Sequence, residues 1–175
     1  SASGVAARYH KYDHASSVGV QVTNPREVSV DLSASSIKSE ATTVSNSGVE
    51  GGAGAAGIAI YAASAEFNSG DSLATVLLND TSLDIDSSIE GDGYGQVVAL
   101  GVSSDAFSYT ETAKSVVTAK GGTIDVLAVS NLASDDHRNT ASATAIAAGA
   151  VSYTQYDTSA AVTLNSGAKV SSKAF

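Results

Sequence analysis

The chain has 175 residues, a mass of 17.4 kDa, 43% apolar and 6% aromatic content, and neither Trp nor Met. Ala and Val supply most of the apolar fraction, so bulky side chains are too few for one thick core, and a thin core of stacked Val, Ile, Leu and Ala is expected. A net charge of −9 and a pI near 4.5 disfavour nucleic acid as a partner, because phosphate binding needs clustered Lys and Arg.

There is no Cys, so disulfides contribute nothing. No run approaches 18 consecutive apolar residues, so no helical membrane span is expected. The chain begins with Ser and holds no Met, which points to a processed chain or a part of a longer one. Disorder is disfavoured: charged residues are only 15%, Pro occurs once, and β-branched residues recur in strand-like patterns.

Imperfect internal repeats run along the chain. In a first phase, an aromatic residue is followed by a small-residue run and Val. The series is Tyr9 to Val18, Phe67 to Val76, Tyr109 to Val116 and Tyr153 to Val162, with Tyr12-Asp13 and Tyr156-Asp157 strengthening the outer pair. The aromatics are 58, 42 and 44 residues apart. A second phase alternates apolar and polar residues over Glu27 to Leu32, Ser82 to Asp86, Thr123 to Val126 and Ala168 to Val170. A third, small and apolar, covers Gly57 to Ala62, Gln96 to Gly101 and Thr144 to Ala148.

Period-2 alternation with Gly, Asn, Ser and Asp at the joints reads as strands and turns. The first interval is longer than the others, and the Gly-rich stretch Ser45–Gly57 is read as an insertion loop. The expected fold is all-β: one parallel β-solenoid (β-helix) segment over residues 1–175, built of imperfect ~44-residue repeats. With strands of ~5 residues and corners of ~2–3, a coil takes roughly 22 residues, giving about eight coils and a rod of about 35–40 Å. A β-sandwich is the alternative. Neither terminus carries a distinct polar capping unit, so the ends are expected to abut flanking repeats or another copy.

The segments Ala161 to Val170 and Ala141 to Gly149 alternate Ala with small polar residues before Gly. In this they resemble the repeat regions of large secreted filamentous haemagglutinin-like bacterial adhesins. That resemblance implies a right-handed parallel β-helix acting as an extracellular or cell-surface stalk or adhesive fibre. It also implies partners among host or surface carbohydrates or proteins.

Few residues suggest chemistry. Asp80, Asp84, Asp86, Glu90 and Asp92 lie close together among Gly91, Gly93 and Gly95, and hard oxygen ligands on such a corner suit Ca²⁺. Asp84, Asp86 and Asp92 are the candidate ligands, with an acidic solvated corner as the simpler account. His10 and His14 share one side of a strand, yet lack a third ligand, and surface histidines beside Asp13 are favoured over a metal site. Asp135, Asp136, His137 and Arg138 fall in a polar run between apolar strands and read as a loop tip. Tyr9, Tyr12, Tyr61, Tyr94, Tyr109, Tyr153 and Tyr156 allow an exposed aromatic ladder, but corner positions are favoured. No cofactor is expected, and a non-catalytic role is preferred over a carbohydrate-active enzyme or a subunit of a self-assembling filament.

Overall fold

The computed structural model describes residues 2–11, 26–64, 70–109, 111–133, 138–153 and 157–175. Among these residues there are twelve β-strands and no helix. In chain order they are β1 (Ala2–Lys11), β2 (Arg26–Ser33), β3 (Ser36–Ser45), β4 (Glu50–Ser64), β5 (Ser72–Asn79) and β6 (Ser82–Gly91). There follow β7 (Tyr94–Ser108), β8 (Ala113–Lys120), β9 (Thr123–Leu132), β10 (Thr140–Ser152), β11 (Thr158–Leu164) and β12 (Lys169–Ala174).

These strands form three four-stranded sheets, ordered β1-β4-β7-β10, β2-β5-β8-β11 and β3-β6-β9-β12. Every described pairing between neighbours is parallel. The chain thus visits the three sheets in turn and completes four circuits, not the antiparallel pattern of a sandwich. The expected eight coils are corrected to four. Strands here run to 8, 10 or 15 residues in a circuit, so one circuit consumes a whole ~44-residue repeat. At ~4.8 Å per step, the stack is about 15–20 Å tall, half the height expected.

Register fixes the repeat. Glu50 lies beside Tyr94, 44 residues on, and Gln96 beside Thr140, again 44 on. The insertion is also relocated. Gly51 to Gly57 form the first half of β4, paired with β7, instead of a loop. The β1–β4 step is 53 residues (Ala2 to Ala55) against 46 for β2–β5 (Arg26 to Ser72). The extra length therefore falls between β1 and β2, at positions 12–25, outside the described residues.

Inward positions stack into columns of like residues, the form that alternation takes when strands are parallel and in register. Val30, Val76, Val117 and Val162 make one column. Ile37, Leu83, Ile124 and Val170 make another. Val30, Val76, Val117, Leu83 and Ile124 of these columns join Ile58, Ile60, Val97 and Val102 in one apolar cluster between the sheets. Two alignments made from sequence shift accordingly. Glu27 to Leu32 pairs with Leu73 to Leu78 in the second sheet, whereas Ser82 to Asp86 and Thr123 to Val126 lie in the third. Val116 faces Ala161, and Val117 takes the place in the Val column.

The 15-residue strands β4 and β7 are each two strands joined at a bend. Their burial alternates, then slips phase at Gly57–Ile58 and Gly101–Val102, where two consecutive residues are buried. The pairing skips Gly57, Gly101 and Ala145 in the same row. A Cβ on Gly57 would sit 2.6 Å from the Gly101 carbonyl oxygen and 2.9 Å from Ile85 Cδ1. Glycine is required here for close backbone approach, not for unusual φ.

Corners between the second and third sheets repeat a left-handed residue: Ala34 (φ 48°), Asp80 (φ 47°) and Gly121 (φ 68°). The first two donate a corner bond to the next circuit: Ala34 N–H to Asn79 O at 2.9 Å and Asp80 N–H to Lys120 O at 2.7 Å. Asp tolerates this conformation through local hydrogen bonding, and Gly carries no steric cost.

Small polar residues enter the interior where the backbone can satisfy them. Ser115 Oγ donates to Ser104 O at 2.6 Å and lies 2.9 Å from Ser104 Oγ, joining β8 to β7. Ser72 Oγ donates to Phe107 O at 2.7 Å. Ser39 and Ser87 are different: both hydroxyls are buried without a hydrogen-bond partner among the described residues. A buried hydroxyl left unmet costs about 1–3 kcal/mol. Ser87 sits between Ala41 and Ala128 in its column. Ser87→Ala is accordingly expected to stabilise the protein by about 1 kcal/mol, read as a higher urea midpoint at unchanged slope; a lower midpoint would show that the hydroxyl is satisfied.

Candidate functional site

The outward face of the third sheet carries the densest charge. Because side chains two apart share a face, Lys38 and Glu40 of β3, Asp84 and Asp86 of β6, and Asp125 of β9 fall together. Register sets Lys38, Asp84, Asp125 and Ser171 in one column, and Glu40, Asp86, Leu127 and Lys173 in the next. Four carboxylates thus meet two ammonium groups at opposite ends of the stack. Lys38 Nζ lies 3.6 Å from Glu40 Oε2, with both side chains largely exposed, so the pair adds little stability.

Asp86 is the carboxylate most affected. Burial pushes its carboxyl above the usual range; Asp84 raises it further, Lys38 pulls it back, and Glu40 raises it again. A carboxyl raised in the folded state favours folding most when protonated. Its contribution is full below the unfolded-chain value and is lost as pH climbs through the folded-state value. Asp86→Asn, which mimics the protonated form, is expected to raise the melting temperature at pH 7. That advantage should vanish at pH 3, where an ordinary Asp is already mostly protonated. An equal gain at both pH values would assign the effect to packing instead.

Beside this row, a groove of about 350 Å³ is lined by Asp86, Asp125, Val126, Leu127, Ser171, Lys173 and Phe175. Its lining combines two carboxylates and one ammonium with the apolar side chains of Leu127 and Phe175.

The expected Ca²⁺ ligands do not converge. Asp84 and Asp86 share the outward face of β6, but Asp92 lies beyond the far end of that strand, after Gly91 (φ 122°). Among the described residues, no group of three or more His, Asp or Glu is placed to hold a metal ion. Asp125 and Glu40 join Asp84 and Asp86 instead. They were missed because they are 41 and 46 residues away in sequence, and only the register brings them together.

His10 lies in β1. His14, Asp135, Asp136 and His137 fall outside the described residues, as do Tyr12, Phe67 and Tyr156. Arg138 stands over the Tyr94 ring, its guanidinium carbon 3.5 Å from the centroid, a cation–π contact that ties the start of β10 to the start of β7. Tyr109 and Tyr153 occupy equivalent corners one circuit apart and stack with centroids 5.1 Å apart and planes within 7°. Tyr9 does not join them. It stands beside Ala62, in the column of Ala106 and Ala150. Tyr61 lies within β4, beside Asp105.

A last feature is the end face of the fourth circuit. Val162, Leu164 and Val170 continue the inner columns but are 47%, 50% and 39% exposed, whereas Val30 at the other end of the first of these columns is 8% exposed. Tyr153 and Phe175 lie open on the same circuit.

No family model, curated protein or solved structure matches the chain. No helix among the described residues is long and apolar enough to cross a membrane.

Proposed function

We propose that the chain is a β-solenoid segment serving as a non-catalytic stalk or fibre element of an extracellular bacterial adhesin. The observation that carries this reading is the repeated passage through three parallel sheets, with inward columns of like residues recurring at steps of 41 to 46 residues over the last three circuits. Each circuit contacts only its neighbours, so length can grow by repetition without changing the cross-section. Such a body suits spacing and display. The alternation of small residues that resembles filamentous haemagglutinin-like repeats supports the extracellular setting.

A subunit of a self-assembling filament is the second reading, since parallel strands left unpaired at a sheet edge template further pairing. The test pairs far-UV circular dichroism with a polysaccharide screen. A β-dominated spectrum and no release of reducing ends are expected. A helical spectrum would overturn the solenoid. Depolymerisation that falls on substitution of Asp125 or Asp86 would replace the stalk with a carbohydrate-active enzyme.

A further inference from the structure

We propose that Tyr109 and Tyr153 form an oxidative cross-linking site, where a one-electron oxidant of the peroxidase–peroxide class joins the two rings as an intramolecular dityrosine that staples the third circuit to the fourth. The site lies on the flank of the stack, between two circuits. It is complete whatever lies beyond the fourth circuit, and it stands whether or not the chain is a stalk.

Register brings the two residues together. They are 44 positions apart in sequence, yet each is the first residue after its first-sheet strand, Tyr109 after β7 and Tyr153 after β10. The last paired residues of those strands are Ser108 and Ser152. The rings stack with centroids 5.1 Å apart and planes within 7°. That distance is close to the ~4.8 Å spacing of neighbouring strands, so each ring's ortho carbons have their counterparts about 5 Å away.

Hydrogen bonds hold the two corners in this relation. Tyr153 N–H donates to Ser108 O at 3.1 Å, and Ser152 Oγ donates to Glu111 O at 3.1 Å. Ser108 Oγ accepts from Glu111 N–H at 3.1 Å and so closes the turn around Tyr109. The backbones are fixed while Tyr109 is half-exposed at its corner, which leaves the rings free to pivot from face-to-face to edge-to-edge, the approach an ortho–ortho bond needs.

The other tyrosines among the described residues lack this arrangement. Tyr9 stands beside Ala62, and Tyr61 stands in the column Arg8–Tyr61–Asp105–Gly149. Tyr94 pairs with Glu50 and has the Arg138 guanidinium over its ring, where a cation opposes the loss of an electron.

The chemistry balances. Each phenol gives up one electron and its hydroxyl proton to become a tyrosyl radical. The two radicals couple through one ortho carbon each. The hydrogen on each of those carbons then leaves as a proton while the ring oxygen takes one up, which restores both aromatic rings. In sum one carbon–carbon bond forms, two carbon–hydrogen bonds break, and two electrons and two protons pass to the oxidant. Hydrogen peroxide takes them up in becoming two molecules of water. The new bond closes a loop of 44 residues, and a cross-link of that span lowers the unfolding equilibrium constant on the order of a hundredfold.

Treatment of the 175-residue chain with a haem peroxidase and hydrogen peroxide tests the site. The readouts are dityrosine fluorescence, the mass of the intact monomer and its peptides, and urea denaturation of the oxidised monomer. A monomer lighter by two hydrogen atoms is expected, with Tyr109 and Tyr153 in the linked peptides, a yield independent of protein concentration, and a raised urea midpoint. Tyr109→Phe and Tyr153→Phe should each abolish the linked monomer, whereas Tyr61→Phe should leave it intact, with circular dichroism confirming that each variant keeps its β spectrum. No dityrosine in a chain with that spectrum, dityrosine only in concentration-dependent oligomers, or a monomer linked through other tyrosines would overturn the site while leaving the fold standing. A Tyr109–Tyr153 link that leaves the urea midpoint unchanged would overturn its role as a staple. A wild-type chain without a β spectrum would overturn fold and site together.

Discussion

Ile85→Ala is expected to lower the stability of the fold by about 2–5 kcal/mol, among the largest losses open to a single substitution here. Ile85 is fully buried and stands in the column Ser39–Ile85–Val126–Ser172. Its Cδ1 also fills the bend of β4, lying 2.9 Å from where a Gly57 Cβ would be. Strands on both sides are held by backbone ladders, so the wall cannot collapse into the space left behind, which places the cost in the upper part of that range. Chemical denaturation should show a lower midpoint at unchanged slope. A loss under about 1 kcal/mol would mean that the interior is loosely packed at this level.

Gly101→Ala is expected to cost about 3 kcal/mol or more. The added methyl overlaps the Ala145 carbonyl oxygen and comes 2.9 Å from Val126 Cγ2 and 3.0 Å from Ile124 Cγ2. The oxygen belongs to a strand fixed in its own ladder, and the two side chains belong to buried columns, so none of the three can retreat cheaply. Gly52→Ala is the matched control. Its new Cβ would meet nothing closer than the Gln96 carbonyl oxygen at 4.0 Å, so it should be close to neutral. Two similar losses from Gly101→Ala and Gly52→Ala would attribute the effect to strand glycine in general and not to the bend.

Much of the fold was legible because alternation survives wherever a strand buries one face. Ser82–Asp86 and Thr123–Val126 alternate buried and more open positions within β6 and β9, and both were visible as strand-like runs. Joints at Asp80 and at Gly121–Gly122 were marked by the residues that tolerate left-handed backbone. The long strands were legible only in part: Gly57–Ala62, Gln96–Gly101 and Thr144–Ala148 read as strands, but their full length did not. Gly51–Gly57 reads as a loop from composition, yet two of its glycines are there because other strands approach closely; a Cβ on Gly51 would sit 2.7 Å from Ile89 Cδ1, and one on Gly57 2.6 Å from the Gly101 carbonyl oxygen. Taking those strands as short halved the length of a coil and doubled the number of circuits. The acidic row was half legible. Asp84 and Asp86 stood out locally, but Asp125 and Glu40 belong with them only through registers of 41 and 46 residues, which local spacing cannot reveal.

The nine parallel pairings carry a kinetic consequence. Each joins residues at least 41 positions apart, so no contact between neighbouring strands forms locally. The first circuit-to-circuit contact must close a long stretch of chain before any ladder bond or buried column rewards it. Once two circuits are in place, the next finds a ready template and adds strand by strand. Refolding is therefore expected to be slow to begin and rapid to spread, with the rate set by founding the first pair of circuits. Emergence of the chain from one end, as in synthesis or export, would set the order in which circuits are laid down.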